Sequence, residues 1–265
     1  MTDRRIANLE TPERVWAVAA IHGEAGRLAR LHDQLWQRLA RGDRVVYLGN
    51  MIGHGESIVA TVDELVDFRR AVMARPGGFA CHLVYLRGSQ EVMWQKLLQL
   101  QFTPDPVGAL SWMLQRGVSA TLEAYGADAE AGVRAARAGT VALTRWTSGV
   151  RQAMQRHAGH VELLGRMHSA AQTGENGVLF VNAGLDPHKP LAEQGDLFWW
   201  HGAGFSELDR PYAGFQRIVR GFDPRRRGPE ELPHKLTLDA GAGFGGPVVA
   251  ACFDRAGQVI EHLEA

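Results

Sequence analysis

The chain has 265 residues, 29 Lys plus Arg against 29 Asp plus Glu, and only two cysteines. This length is at the upper end for a single domain, and such a domain buries about three quarters of the surface that its unfolded chain exposes. The balanced charge excludes a strong overall attraction to nucleic acid or to anionic membranes, so we expect neither as a partner.

The two cysteines, Cys81 and Cys252, each lie in an apolar run. This pattern is typical of buried reduced thiols rather than of a disulfide framework, and it predicts a cytoplasmic protein. The N-terminus lacks the apolar stretch of a signal peptide, and the apolar residues 15–21 are too few to cross a bilayer. We therefore expect neither export nor a membrane anchor.

The first half of the chain alternates between strand and helix patterns. Apolar runs predict strands at residues 15–21, 44–48 and 80–86, and apolar residues at helical spacing predict helices at residues 28–39 and 57–73. Strands separated by helices indicate parallel βαβ units, whose binding groups collect at the carboxyl ends of the strands.

Residues 92–157 have a helical pattern, which we interpret as a helical insertion rather than a separate domain. A second set of strands, many of them expected to be antiparallel, is predicted at residues 177–181, 217–219, 235–238, 248–253 and 258–262. The sequence thus predicts one domain over residues 14–265, with residues 1–13 as an N-terminal extension.

Five glycine-containing turns each follow a predicted strand. They are Ala19-Ala20-Ile21-His22-Gly23, Gly49-Asn50-Met51-Ile52-Gly53-His54-Gly55, Leu86-Arg87-Gly88-Ser89-Gln90-Glu91, Asn182-Ala183-Gly184 and Gly221-Phe222-Asp223. In order and spacing they resemble the blocks GDxHG, GDxxDRG, GNHE, HAG and GHT of the calcineurin-like metallophosphoesterases, most closely those of the bacterial serine/threonine protein phosphatases. The resemblance spans nearly the whole chain.

The resemblance implies an α/β fold, a four-layer α/β/β/α sandwich of two mixed sheets flanked by helices. It also implies a site for two metals, with ligands at six positions. These positions hold Ala20, His22, Asn50, Ser89, Asn182 and Phe222. Only His22 matches the ligand type of the family, and no position keeps the charge that holds a hard divalent cation. We expect no metal, or at most Mn, Fe or Zn at low affinity.

The positions that act on the phosphate group have changed as well. Gln90 occupies the place of the proton-donating histidine, so we expect no catalytic residue there. His54 replaces an arginine of the second block, and His201 follows a tryptophan where the family has an arginine. Arg87, His54 and His201 are our candidates for binding phosphate or another ligand.

Loss of the ligands together with retention of the glycines favours a catalytically inactive homologue, a pseudophosphatase. Such a protein would bind or regulate a partner, with a protein or phosphoprotein as the expected class. The first alternative is a divergent phosphoesterase with a weak metal held by His22, Asn50 and Asn182. The second is a domain whose altered pocket binds a nucleotide or another small ligand.

Three further features have simple interpretations. Asp223 could offer a new carboxylate, but Asp before Pro more simply starts a turn. The basic run at residues 225–227 is followed closely by acidic residues, which favours a solvated loop over an anion-binding patch. At least one of Trp199 and Trp200 is expected in the core.

Overall fold

The computed structural model describes residues 6–174, 177–200 and 202–265. Its first sheet has the order β11-β10-β2-β3-β4. These strands are β2 (Arg14–Val18), β3 (Arg44–Tyr47), β4 (Leu83–Tyr85), β10 (Val249–Asp254) and β11 (Val259–Glu264). β2, β3 and β4 are parallel, as expected for βαβ units, and β10 pairs antiparallel with both β2 and β11.

The second sheet has the order β1-β5-β6-β7-β9-β8. Its strands are β1 (Ile6–Asn8), β5 (Ala170–Gln172), β6 (Val178–Val181), β7 (Arg217–Arg220), β8 (Glu230–Leu232) and β9 (Lys235–Thr237). Many strands of the second predicted set were expected to be antiparallel: β10 and β11 are, whereas β6, β7 and β9 are parallel. The connections between these three strands are long enough to return to the same end of the sheet. β1 lies within the stretch set apart as an N-terminal extension.

Two helices pack on the outer face of the first sheet, α1 (Ala25–Arg38) and α2 (Ile58–Ala74). Residues of β2 alternate between two apolar clusters, as the period-two geometry of a strand requires. Trp16 packs with the α1 and α2 side chains, while Ala17 packs between the two sheets.

The helical insertion packs on the same core as α1 and α2. It comprises α3 (Ser89–Leu97), α4 (Pro106–Met113), α5 (Ser119–Ala124), α6 (Ala129–Ala138), α7 (Thr140–Gln155) and α8 (His160–Gly165). Between α4 and α5 the chain makes a π-helical turn, Leu114–Val118, in which Gly117 has a φ of 99°. This left-handed residue breaks the helical hydrogen-bond pattern, and it lies next to the site described below.

The second sheet is covered by a third apolar cluster that includes residues of α9 (Leu197–Trp200) and α10 (Gly202–Glu207). Two sheets face each other and each carries helices on its outer side, so the expected four-layer α/β/β/α arrangement is confirmed. Short 3-10 helices complete the chain at Ala80–His82, Leu100–Phe102 and Leu191–Glu193. No helix in the described ranges is long and apolar enough to cross a membrane.

The prediction of two buried thiols is half wrong. Cys252 is buried in β10, but Cys81 is exposed. The predicted strand 80–86 is only Leu83–Tyr85, because the chain first makes the 3-10 turn Ala80–His82 at the edge of the sheet. Apolar character alone does not separate a strand from the surface turn that leads into it.

Candidate functional site

Backbone hydrogen bonds bring together the turns that follow strands of both sheets. The amides of Ile21 and His22 donate to the Asn50 carbonyl at 3.0 and 2.8 Å. The amide of Ala20 donates to the Gly221 carbonyl, and that of Phe222 to the Asn182 carbonyl, both at 2.9 Å. Turns that are far apart in sequence thus meet where the carboxyl ends of the strands come together. We call this group of turns the strand-end site.

A buried carboxylate holds the second and third turns in place. Glu91 accepts the backbone amides of Asn50 at 2.9 Å, Met51 at 2.7 Å, Ile52 at 3.2 Å and Gly88 at 2.8 Å. Burial raises the pKa of Glu91, and these amide donors oppose that rise. Glu91 belongs to one of the sequence motifs, but the sequence does not predict that its carboxylate accepts hydrogen bonds from two turns.

Asn50 is oriented by the third turn. Its Oδ1 accepts the Gln90 amide at 3.1 Å and the Ser89 hydroxyl at 3.3 Å. Both interactions use the oxygen that would face a cation, while Asn50 Nδ2 is buried with no hydrogen bond to the described residues. Ser89 therefore supports the Asn50 side chain rather than standing alone as a ligand.

His22 is buried at the centre of the strand-end site among aromatic rings. Its ring centroid is 5.1 Å from that of His54, 5.4 Å from that of Phe222 and 5.5 Å from that of Phe244. Neither ring nitrogen has a well-formed hydrogen bond, although backbone groups of Ile52 and Gly53 lie near enough to act on its charge.

Burial, followed by the positive charge of a neighbouring imidazolium at His54, lowers the pKa of His22 to about 3. The His22 side chain is therefore a neutral imidazole at neutral pH. A neutral imidazole can ligate a metal or exchange hydrogen bonds with a ligand, but it adds no positive charge to hold a phosphate.

Phe244 was not singled out by the sequence analysis. It lies in the glycine-rich turn between β9 and β10, and the Arg226 guanidinium sits 4.3 Å from its ring centroid. Its ring also lies 4.7 Å from that of His54. Glycines flank it in the sequence, but only the folded chain brings this phenyl ring against His22 and His54.

The π-helical turn of the insertion closes one side of the strand-end site. Gln90 Nε2 donates to the Arg116 carbonyl at 2.7 Å and lies 3.2 Å from His54 Nε2. The His54 amide donates to the Gly117 carbonyl at 3.4 Å. Burial, and then the charge of Arg226, lower the pKa of His54. Gln90 is thus a hydrogen-bonding link between His54 and the insertion, with no proton to give at neutral pH.

Backbone conformation also distinguishes the strand-end site. Six non-glycine residues of the described ranges have a positive φ, and three of them are His22 (50°), Asn50 (54°) and His54 (64°). A fourth, Arg226 (51°), stacks on Phe244. Such conformations cost about 1–3 kcal/mol each and concentrate at functional sites, which supports a binding role for these turns.

The polar groups that remain are neutral. Asn182 Nδ2 donates to the Leu48 carbonyl at 2.7 Å, while Asn182 Oδ1 has no partner. Across the described part of the chain, the buried side-chain atoms without a hydrogen bond include a group at this site: His22 Nδ1 and Nε2, Asn50 Nδ2, Gln90 Oε1 and Asn182 Oδ1. Buried polar groups normally find partners, so this concentration indicates a place for a bound molecule.

The donors do not match what two divalent cations require. Ala20 and Phe222 offer no ligand atom, and two buried carboxylates near the turns are already engaged. Glu91 accepts four backbone amides, and Asp239 accepts the amides of Asp223 and Gly241. Hard cations in two-metal sites need charged oxygen ligands, and neither of these buried carboxylates is free to serve as one.

The remaining candidates are placed as follows. Arg87 is half-buried and its amide donates to the His168 carbonyl at 2.8 Å; its assignment to phosphate binding stays a prediction. His201 lies outside the described residues. Trp199 is buried and Trp200 is 38% exposed, so the expectation of at least one core tryptophan is confirmed.

The interpretation of Asp223 as a turn residue is confirmed. Its Oδ1 accepts the Arg225 amide at 3.0 Å. Its Oδ2 forms ion pairs with Arg220 at 3.0 Å and Arg227 at 2.9 Å. The carboxylate is therefore committed to two arginines, and it does not replace a lost ligand. Residues 225–227 are exposed, as expected for a solvated loop.

Several solved structures share this architecture. One is described as a "putative diadenosine tetraphosphatase", with a TM-score of 0.54, 17% identity and coverage of 98% of this chain and 99% of that chain. A protein serine/threonine phosphatase from Saccharomyces cerevisiae matches with a TM-score of 0.53 at 12% identity, over 98% of this chain and 84% of that chain. A cold-active protein tyrosine phosphatase matches with a TM-score of 0.52 at 12% identity, over 98% and 82%.

No protein-family model and no curated protein sequence matches the chain. At these identities the structural matches establish the architecture and not the activity. The four layers and the two mixed sheets agree with the fold of these structures. The chain therefore has the metallophosphoesterase fold.

Proposed function

We propose that this chain is a non-hydrolytic binding or regulatory protein, a pseudophosphatase built on the metallophosphoesterase fold. The observation that carries the proposal is the content of the strand-end site. The described residues place unpartnered neutral polar atoms and aromatic rings there, and the buried carboxylates of Glu91 and Asp239 are already hydrogen-bonded. Such a site can hold a ligand but lacks the groups that activate water.

The chemistry of phosphate ester hydrolysis explains why this matters. Metals lower the pKa of bound water from about 15.7 to about 7 and stabilise charge on the attacking and leaving oxygens. Hydrolysis of phosphate monoesters needs accelerations of up to about 10²¹-fold. Without charged ligands, and with Gln90 hydrogen-bonded to the Arg116 carbonyl, neither the nucleophile nor the proton donor is provided.

The surroundings favour a phosphate-bearing ligand, such as a phosphoprotein. A surface pocket is lined by His54 together with Arg27 and Arg30 of α1. Glu24 and Glu56 line the same pocket, so its charge is balanced and recognition would rest on positioned arginines rather than on net charge. The structural relatives named above include enzymes described as acting on phosphorylated substrates.

A cytoplasmic location and the link to the bacterial phosphatase branch belong to the same proposal. Cys81 and Cys252 are both free thiols, which suits a reducing compartment.

Two measurements test the proposal together. The purified protein, supplied with Mn²⁺, is expected to show no turnover of p-nitrophenyl phosphate above a buffer control. A phosphoserine peptide or inorganic phosphate is expected to raise its melting temperature, since a ligand that binds only the native state stabilises it. The Arg30→Ala variant should lose this shift, while His188→Ala, at an exposed position, should keep it.

Robust hydrolysis that disappears in a His22→Ala variant would overturn the proposal in favour of a divergent phosphoesterase. Absence of any shift with both phosphate probes would contradict the phosphate-bearing ligand.

A further inference from the structure

Three side chains that the strand-end site does not use lie together where α2 meets the turn between α7 and α8. They are Asp63, His157 and His160, and their nearest nitrogen and oxygen atoms all lie within 4.8 Å of one another. His160 Nε2 is 2.9 Å from Asp63 Oδ1. Asp63 is exposed, His157 is half-buried and His160 is buried, so the group is open to solvent on one side and supported by the core on the other.

The local backbone is built to bring the two histidines to α2. Gly159, between them, has a φ of 90°, and a Cβ at this position would lie 2.9 Å from Val66 Cγ1 on α2. Only glycine allows the left-handed turn and the close approach together. The two imidazoles consequently stack, with centroids 5.0 Å apart.

A tyrosine orients the buried histidine from behind. The Tyr125 hydroxyl lies 2.8 Å from His160 Nδ1. A hydroxyl can donate or accept a hydrogen bond, so the Tyr125 oxygen can accept one from Nδ1–H, and in that tautomer the Nε2 lone pair faces Asp63. Histidines that ligate metals are commonly oriented by such a hydrogen bond on the other ring nitrogen.

We propose that Asp63, His157 and His160 form a site for one divalent transition-metal cation of the zinc type. Two imidazoles and one carboxylate, with water as a fourth ligand, are a donor set that Zn²⁺ accepts. Tetrahedral Zn²⁺ with bonds of about 2.0–2.1 Å places its ligand atoms about 3.3 Å apart. The observed separations, from 2.9 Å up to 4.8 Å, bracket that value, so small side-chain rotations suffice.

The site joins the helical insertion to the first layer of helices. Asp63 belongs to α2, whereas His157 and His160 belong to the end of the insertion, and Asp63 and His160 are 97 residues apart in the chain. A bound cation would link the two segments through shared ligands, and its binding free energy would stabilise the native state. The site uses none of the strand-end residues, so the test of this proposal is independent of the test of the proposed function.

The test is titration of the chelator-treated, dialysed full-length protein with ZnCl₂ in competition with a chromogenic chelator. We expect one equivalent to bind, and Co²⁺ to give the visible absorption of a site with nitrogen and oxygen ligands. His157→Ala and Asp63→Asn, at the two accessible positions, should each weaken binding at least tenfold. His188→Ala, at an exposed position outside both proposed sites, is the matched control and should bind as the unsubstituted protein does.

Addition of EDTA to the zinc-loaded protein should lower its melting temperature, and it should leave the melting temperature of His157→Ala unchanged. Because His160 is buried against Tyr125, its substitution could unfold the chain, and the two accessible variants avoid that difficulty. Binding that is absent, or that is equal in His157→Ala, Asp63→Asn and the unsubstituted protein, would overturn the proposal.

Discussion

The Phe222 ring packs edge-on against the His22 imidazole, with the ring centroids 5.4 Å apart and the planes inclined by 70°. In the family that the sequence resembles, both positions hold metal ligands. Here one is a phenyl ring and the other is a neutral imidazole buried beside it. The two side chains belong to an aromatic cluster with His54 and Phe244, and four predictions follow from it and from the turns that support it.

His22 should make the stability of the protein fall in mild acid. Its pKa is about 3 in the folded chain and about 6.5 when unfolded, so between these values the unfolded chain binds one more proton. Above about pH 6.5 the free energy of unfolding does not depend on this group. As the pH falls from about 6.5 towards 3, the free energy of unfolding decreases by up to about 1.4 kcal/mol per pH unit. Urea unfolding at pH 7, 6 and 5 measures it.

His22→Asn removes the titrating group and keeps a residue that tolerates positive φ. Its free energy of unfolding should depend less steeply on pH than that of the unsubstituted protein. His262→Asn, at an exposed position, should leave the slope unchanged. Equal slopes for all three proteins would show that His22 is not held neutral by burial.

Restoring charged ligands should restore metal binding. The triple variant Ala20→Asp, Asn50→Asp and Phe222→His places two carboxylates and an imidazole at turns that are already held together by backbone hydrogen bonds. Burial of the new carboxylates should destabilise the metal-free protein. Mn²⁺ should reverse this, by about 2.7 kcal/mol at a hundredfold excess over its dissociation constant. Thermal unfolding with and without Mn²⁺ is the measurement.

Phe222→His alone is the control for that variant, and it should show no shift with Mn²⁺, because it adds no carboxylate. A triple variant that folds and is equally stable with and without Mn²⁺ would indicate that the turns no longer hold the metal geometry.

Gly49→Ala should be strongly destabilising. Gly49 has a φ of 85°, and a Cβ there would lie 2.6 Å from the Gly88 nitrogen and 2.8 Å from the Arg87 carbonyl carbon. The left-handed backbone costs about 1–2 kcal/mol for an L-residue and the overpacking about 1–3 kcal/mol more. Gly26→Ala, in α1, where an added Cβ would meet only Arg30 Nη1 at an ordinary contact distance of 3.9 Å, should be neutral or stabilising by up to about 1 kcal/mol. Chemical denaturation of both variants compares them directly.

Glu91 should be among the most sensitive polar positions. Its carboxylate accepts four backbone amides from two turns, and each buried donor left unsatisfied costs about 1–3 kcal/mol. Glu91→Ala should therefore lower the free energy of unfolding by about 3 kcal/mol or more, and Glu91→Gln by less. Glu123→Ala, at an exposed helical position, should stay within about 0.5 kcal/mol of the unsubstituted protein.

A small effect of Glu91→Ala in denaturant unfolding would mean that solvent or other groups satisfy these amides. The turns at the strand-end site would then be less rigid than their hydrogen bonds indicate.

The spacing of apolar residues predicted most of the helices and strands, because this spacing differs between the two kinds of structure. The parallel order of β2, β3 and β4 followed from the helices between them. The parallel pairing of β6, β7 and β9 did not, because their connections carry little regular structure from which a crossover could be read. The exposure of Cys81 was missed for a related reason, since an apolar run does not show where its strand begins.

By itself, the sequence determined that glycine turns would meet at the ends of strands and that charged ligands were absent from them. Tertiary structure decided what surrounds those turns. Phe244 packs edge-on against His22, and the Gly117 carbonyl accepts the His54 amide. Asp63 contacts His160 only because helices that are distant in sequence pack together. Contacts of this kind depend on how whole layers fit together. No local period or motif encodes that fit.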